Sequence, residues 1–181
     1  MAHTTVSLGG KIIRNNLNLV LDEEHIETNM YGLYLLDGDQ HVDNHTMVDH
    51  RKAHCNSNEL YKGIMMERAT GVFNGKIFVR QDAQKTNAFQ SNRNILLSKE
   101  AKVDTKPQLE IWADDVKCSH GCTVGQMDEE QLFYLRARGM SKDSARALLL
   151  QAFAADALSL VKNQAVLEYV QHKISQKLGM G

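Results

Sequence analysis

Up to about residue 125, short apolar runs recur between clusters of Gly, Asn, Asp and Ser, roughly every 10 to 20 residues. They include Leu17–Leu21, Tyr31–Leu36, Gly63–Met66, Lys76–Val79 and Ile95–Ser98. No amphipathic helical pattern separates them, so the segment reads as many short strands, and the fold class is mainly β. Such a pattern suits a β-sandwich or a parallel β-helix, and the spacing alone does not choose between them. Pro107, the only proline, predicts a turn just before a strand at Leu109. From there Leu109, Ile111 and Ala113 alternate with Glu110, Trp112 and Asp114, as in a half-buried strand that runs directly into Cys118.

The period changes after Gly125. Asp128 is placed as an N-cap with Gln131 at N3, before Leu132 and Leu135, and Gly139 supplies a left-handed stop. Ser141 then caps a helix with apolar positions at Ala145, Leu148, Leu149, Ala152 and Phe153. Ala147, Leu150, Ala154 and Ala155 make that helix apolar nearly all round, so part of it is expected to meet a partner. A third helix from about Gln164 carries Val166, Leu167, Val170, Ile174 and Leu178. The organisation expected is a β core over residues 1–125 and a small helical region over 126–181.

A chain of 181 residues can bury one substantial core. Its net charge of −1, with both signs mixed along the chain, does not indicate nucleic-acid binding. No apolar run is long enough to cross a bilayer, and no signal peptide is recognised. Three cysteines, Cys55, Cys118 and Cys122, form no disulfide framework and point to a reducing, cytoplasmic setting. Gly71-Val-Phe-Asn-Gly75 and Gly121-Cys-Thr-Val-Gly125 lack the Lys-Ser/Thr of a phosphate loop, and no Gly-x-Ser-x-Gly elbow occurs. Asp114 and Asp115 are adjacent and belong to a turn rather than to an acid–base pair.

Cys118, His120 and Cys122 recur at period 2. On a strand they would face one side and could converge on one ion or partner, although Gly121 is expected to weaken the case for Cys122. Against this, Cys-x-His is a weak ligand pattern, and cysteines often serve as small buried hydrophobes. A second cluster, His41, Asp43, His45, Asp49, His50, His54 and Cys55, lies on an alternating segment with Val42, Thr46 and Val48. A strand would spread those groups too far apart for one tight metal site.

Several stretches carry a family resemblance. They are Ser57-Asn-Glu-Leu-Tyr-Lys-Gly63, Gly71-Val-Phe-Asn-Gly-Lys-Ile-Phe-Val79, Ala83-Gln-Lys-Thr86, Gln90-Ser-Asn-Arg-Asn-Ile-Leu-Leu-Ser98, Cys118-Ser-His-Gly121 and Glu130-Gln-Leu-Phe-Tyr134. Taken in order, over roughly residues 20 to 178, they resemble the SufD family, subunits of the SufB–SufC–SufD scaffold that assembles iron–sulfur clusters. The related SufB shares the Glu-Gln-Leu-Phe-Tyr helix start but usually lacks Cys-Ser-His-Gly, which favours SufD.

The resemblance implies a right-handed parallel β-helix, truncated at its start, followed by the small helical region. It also implies that the chain is the carboxy-terminal part, engineered or clipped, of a longer family chain. The function implied is a non-catalytic scaffold, with no tightly bound cofactor and a transient iron or iron–sulfur cluster in the full complex. Cys118 and His120 match the family's motif and are the candidate metal ligands, shared with SufB; Cys122 receives no role. SufB would pair through the β-helix, the ATPase SufC through the carboxy-terminal helices, and a homodimer is expected in isolation. The competing readings are a β-helix polysaccharide-active enzyme and a plain self-associating β-helix. The single Trp and the all-helical tail argue against the enzyme.

Overall fold

A computed structural model describes residues 1–179, so the last two residues of the expected 126–181 region lie outside the described residues. The strands are β1 (Ala2–Ser7), β2 (Ile12–Leu21), β3 (Glu27–Leu36), β4 (His41–His50), β5 (Asn56–Met65), β6 (Thr70–Val79), β7 (Asn87–Leu96), β8 (Lys102–Ile111) and β9 (Lys117–Gly125). They alternate between two sheets, ordered β1-β3-β5-β7-β9 and β2-β4-β6-β8, and every pairing is parallel. This is a parallel β-helix in which each turn adds one strand to each sheet. The β-sandwich alternative falls, because its neighbouring strands would run antiparallel.

Parity decides what fills the interior. In β6 the buried residues are Gly71, Phe73, Gly75, Ile77 and Val79, while the residues between them are half-buried. Met30, Val48, Ile77, Leu21 and Ala88 form one apolar cluster, and Leu36, Val42, Met65 and Phe73 belong to another. Each such side chain contributes about 1.5–3 kcal/mol by leaving water. Two close approaches lock the middle coils together. Tyr61 lies over Gly32 and Tyr34 over Gly63, where an added Cβ would meet ring carbons at 2.2 and 2.3 Å.

The corners repeat as well. His25, His54 and Lys85 all hold φ 59°, and Gly38 and Glu67 take the left-handed region at the opposite corner. Imidazole and amide-bearing side chains enter that region more readily than branched ones.

Two expectations need correcting. Pro107 lies inside β8 rather than in a turn before it, paired with Gly75. Lys102 and Trp112 donate their N–H groups to Ala69 and Val79, so even-numbered positions supply the ladder donors. The Pro107 nitrogen therefore faces the open edge of its sheet, where no donor is needed. The Leu109 strand also does not run into Cys118. It ends at Ile111, and the chain turns at residues 112–116 into the other sheet before β9 begins.

The helices follow the capping signals. They are α1 (Glu129–Ala137), α2 (Lys142–Leu158) and α3 (Gln164–Lys177). Asp128 Oδ1 accepts from the N–H groups of Glu130 and Gln131 at 2.9 and 3.1 Å, Ser141 accepts from Ser144, and Gly139 holds φ 91°. α2 lies on the outer face of β3 and β5, where Leu150, Ala154, Ala157 and Leu158 cover Leu33, Leu35 and Ile64, with Val170 and Ile174 of α3 completing the cluster. Lys62 is buried beneath α2 and donates to Asp156 at 2.5 Å and to the Phe153 carbonyl at 2.9 Å.

Candidate functional site

The candidate ligands sit on β9, the last strand of its sheet, which has β7 on one side and an open edge on the other. Cys118 pairs with Ala88, His120 with Gln90 and Cys122 with Asn92. Ala88, Gln90 and Asn92 are buried inside the solenoid, and partners in a parallel ladder point the same way. Cys118, His120 and Cys122 thus share the inward face of the final coil. Gly121 does not interrupt the strand, so Cys122 stays in line with the other two. Among the described residues no later strand covers this coil, and His120 and Cys122 are exposed.

Cys118 is the deepest of the three. It packs against the cluster containing Leu21, Met30 and Val48, and burial pushes its thiol above the ordinary range, partly offset by the backbone at Ala88. Among the described residues, no three His, Cys, Asp or Glu side chains gather into a complete metal site. The motif therefore offers at most two ligands, Cys118 and His120, at an open rim, with Cys122 too far along the strand to join them. Such a set leaves coordination positions for another chain.

The second histidine cluster disperses as its strand pattern predicts. His41 and His45 are half-buried on the outer face of β4, and His45 Nε2 lies 2.9 Å from Asp43 Oδ1. His50 turns inward to Ser57 Oγ at 2.8 Å, and burial lowers its pKa to about 4. His54 stacks on His25 with ring centroids 5.0 Å apart, and Cys55 is buried in the core. Asp114 and Asp115 occupy the turn before β9, where Asp115 pairs with Lys85.

Sequence reasoning missed the polar interior. Glu59, Gln90, Asn92 and Asn94 are all buried on inward faces of β5 and β7. Gln90 Nε2 donates to Glu59 Oε2 at 2.7 Å, Asn92 donates to Tyr34 Oη at 3.0 Å, and Asn94 donates to Asn92 at 2.7 Å. Burial, against partial relief from Thr46 and Gln90, raises the Glu59 pKa to about 7. The signal was present: every second residue of β7 from Gln90 to Asn94 is an amide, so neither face of that strand is apolar.

A second feature lies on the helices. An apolar groove of about 950 Å³ between α1 and α2 is lined by Phe133, Tyr134, Leu135, Leu148, Leu149 and Ala152. Phe133 is 74% and Tyr134 56% exposed, whereas the buried side of α2 is Ala145, Ala147, Leu150, Ala154, Ala157 and Leu158. The stripe through Leu148, Leu149 and Ala152 therefore faces the groove and not the β-helix, and Phe153 lies between the two.

Residues 1–153 match the family model described as the SUF system FeS cluster assembly, SufBD core domain. This chain belongs to that family. It is 42% identical to the iron–sulfur cluster assembly protein SufD of Escherichia coli over 174 residues, 96% of this chain and 41% of the relative. A SufBD family protein of Synechocystis is 45% identical over 156 residues, covering 86% of this chain and 34% of the relative. The SufD protein of Bacillus subtilis is 31% identical over 170 residues, covering 94% and 38%. The chain thus spans about two-fifths or less of the length of these curated relatives. The parallel β-helix is the fold that the resemblance to this family implied. Among the described residues, no helix is long and apolar enough to cross a membrane.

Proposed function

We propose that this chain belongs to a SufD-type scaffold subunit, non-catalytic itself, that helps assemble iron–sulfur clusters in the cytoplasm. One observation carries the reading: in a SufBD-family chain, Cys118 and His120 share the inward face of an uncapped terminal strand. A thiolate and an imidazole there supply part of a ligand set for iron or a nascent cluster, which is cargo and not a resident cofactor. Cys118 gives up its proton on binding, and SufB completes the ligand set across the open end of the solenoid. An incomplete site suits transfer, because four ligands from one chain would hold the metal. The apolar groove between α1 and α2 receives the ATPase SufC. In isolation the chain pairs with a second copy.

The test uses the full-length subunit in the complete complex. His120→Ala and Cys118→Ala should each lower cluster yield, measured by iron and sulfide content and by visible absorption, while SufB and SufC still copurify. Wild-type yield in both variants would reduce the pair to structural residues. Loss of SufC from a Leu149→Glu complex would support the groove assignment, and its full retention would remove it.

A further inference from the structure

Parallel register stacks Met30, Glu59, Gln90 and His120 on one inward line, each a strand further along the solenoid. Gln90 Nε2 is pinned in that line. It donates to Glu59 Oε2 at 2.7 Å, and it occupies space that Gly75 leaves open, since a Cβ there would come within 2.4 Å of it. Above its raised pKa of about 7 the Glu59 carboxylate only accepts hydrogen bonds, so at about pH 8 Glu59 decides which end of the Gln90 amide faces it. The amide oxygen is left over: Gln90 Oε1 is buried and has no hydrogen-bond partner. On the far side of Gln90 the next residue in line is His120, one strand spacing away, or about 4.8 Å.

We infer that Gln90, oriented by Glu59, is a positioning residue for His120: its spare amide oxygen receives one imidazole N–H and so selects the ring tautomer. The other ring nitrogen then carries the lone pair, turned away from Gln90 toward the open end of the coil. Metal-binding histidines are commonly held this way, by a second partner on the nitrogen that does not bind. The line also explains why a carboxylate lies inside the solenoid, with apolar Met30 beyond it. Glu59 is there to orient an amide.

The inference rests on the reading of His120 as a ligand, but its measurement does not. The full chain is labelled with ¹⁵N-histidine and studied at about pH 8, where an ordinary imidazole is neutral. The His120 resonances are those absent from His120→Ala. In the wild type, one ring nitrogen should read as protonated and the other as bare, at well-separated shifts. In Gln90→Leu the two shifts should move toward each other, as expected for a tautomer mixture. Glu59→Gln should do the same with the fold intact, because a second amide can pair with Gln90 in either orientation. This variant also answers the question if Gln90→Leu fails to fold. An unchanged His120 pattern in Glu59→Gln overturns the inference. If the tautomer depends on Gln90 but His120→Ala leaves cluster yield unchanged in the complete complex, the positioning stands and the ligand reading falls.

Discussion

At the scale of the residue, the group with the clearest measurable consequence is Glu59, a carboxyl enclosed by the solenoid and pushed up to about 7. Its native form holds a proton more tightly than its unfolded form, so it contributes most stability below about pH 4.5 and loses it as the pH rises through 7. His50 acts in the opposite direction, since its pKa falls to about 4 and its neutral form is favoured until the pH drops through that value. Comparing Glu59→Gln with the wild type isolates the carboxyl. The variant should be more stable at pH 8, by up to roughly 3 kcal/mol, and nearly equal at pH 5, read by urea unfolding. Equal stability at both values would mean that Glu59 is solvated. A second prediction concerns fit. Gly63→Ala places a methyl 2.3 Å from the Tyr34 ring and 2.4 Å from Asn94 Oδ1, so it should cost at least about 1–3 kcal/mol. Unchanged thermal stability would count against the tight packing of the interior. Cys118 and His120 were singled out from the sequence through their match to the family's Cys-Ser-His-Gly motif, since Cys-x-His alone is a weak ligand pattern. Glu59 and Gln90 were not, because polar residues at strand spacing ordinarily mark the wet face of a sheet.

At the scale of the element, the helices were the most legible part of the chain, because Asp128, Ser141 and Gly139 state their ends in local chemistry. Which side of α2 faces the β-helix was not legible. Its apolar residues go nearly all round, and only the position of β3 and β5 beneath it selects Leu150, Ala154 and Leu158. Pro107 misled for a related reason, since an edge strand accepts a proline that a central strand rejects. Lys62 ties α2 to the sheet, with only 3% of its side chain exposed and its ammonium 4.4 Å from the centre of the Phe153 ring. Asp156→Ala leaves that buried cation with one carbonyl acceptor and should destabilise the docked helices by about 1–3 kcal/mol. Lys62→Met fills similar space without a charge and should cost less. Hydrogen exchange in α2 reports the difference, and equal protection in both variants and the wild type would show that the apolar cluster alone holds the helix.

At the scale of the whole molecule, the register reveals a repeat that short apolar runs conceal. Glu27 pairs with Asn56, an offset of 29 residues, Asn56 with Asn87, an offset of 31, and Asn87 with Lys117, an offset of 30. Variable corner lengths blur this period, which is why strand spacing left a sandwich and a β-helix equally open. A stacked repeat leaves an unpaired strand at its end, here β9, and unpaired edges recruit strands. The direction of the backbone donors allows a sharp test. Lys117 donates its N–H to Thr86 within the sheet, so the odd positions of β9 donate inward and the even ones face the open edge. If two copies of the chain join edge to edge at β9, Val124→Pro removes a donor from the interface and none from the fold. It should convert a dimer to a monomer in light scattering while thermal stability stays within a few degrees. Thr123→Pro removes a ladder donor instead, and should lower stability whatever the oligomeric state. A dimer that persists in folded Val124→Pro would place self-association elsewhere, with the exposed groove between α1 and α2 as the next surface to block.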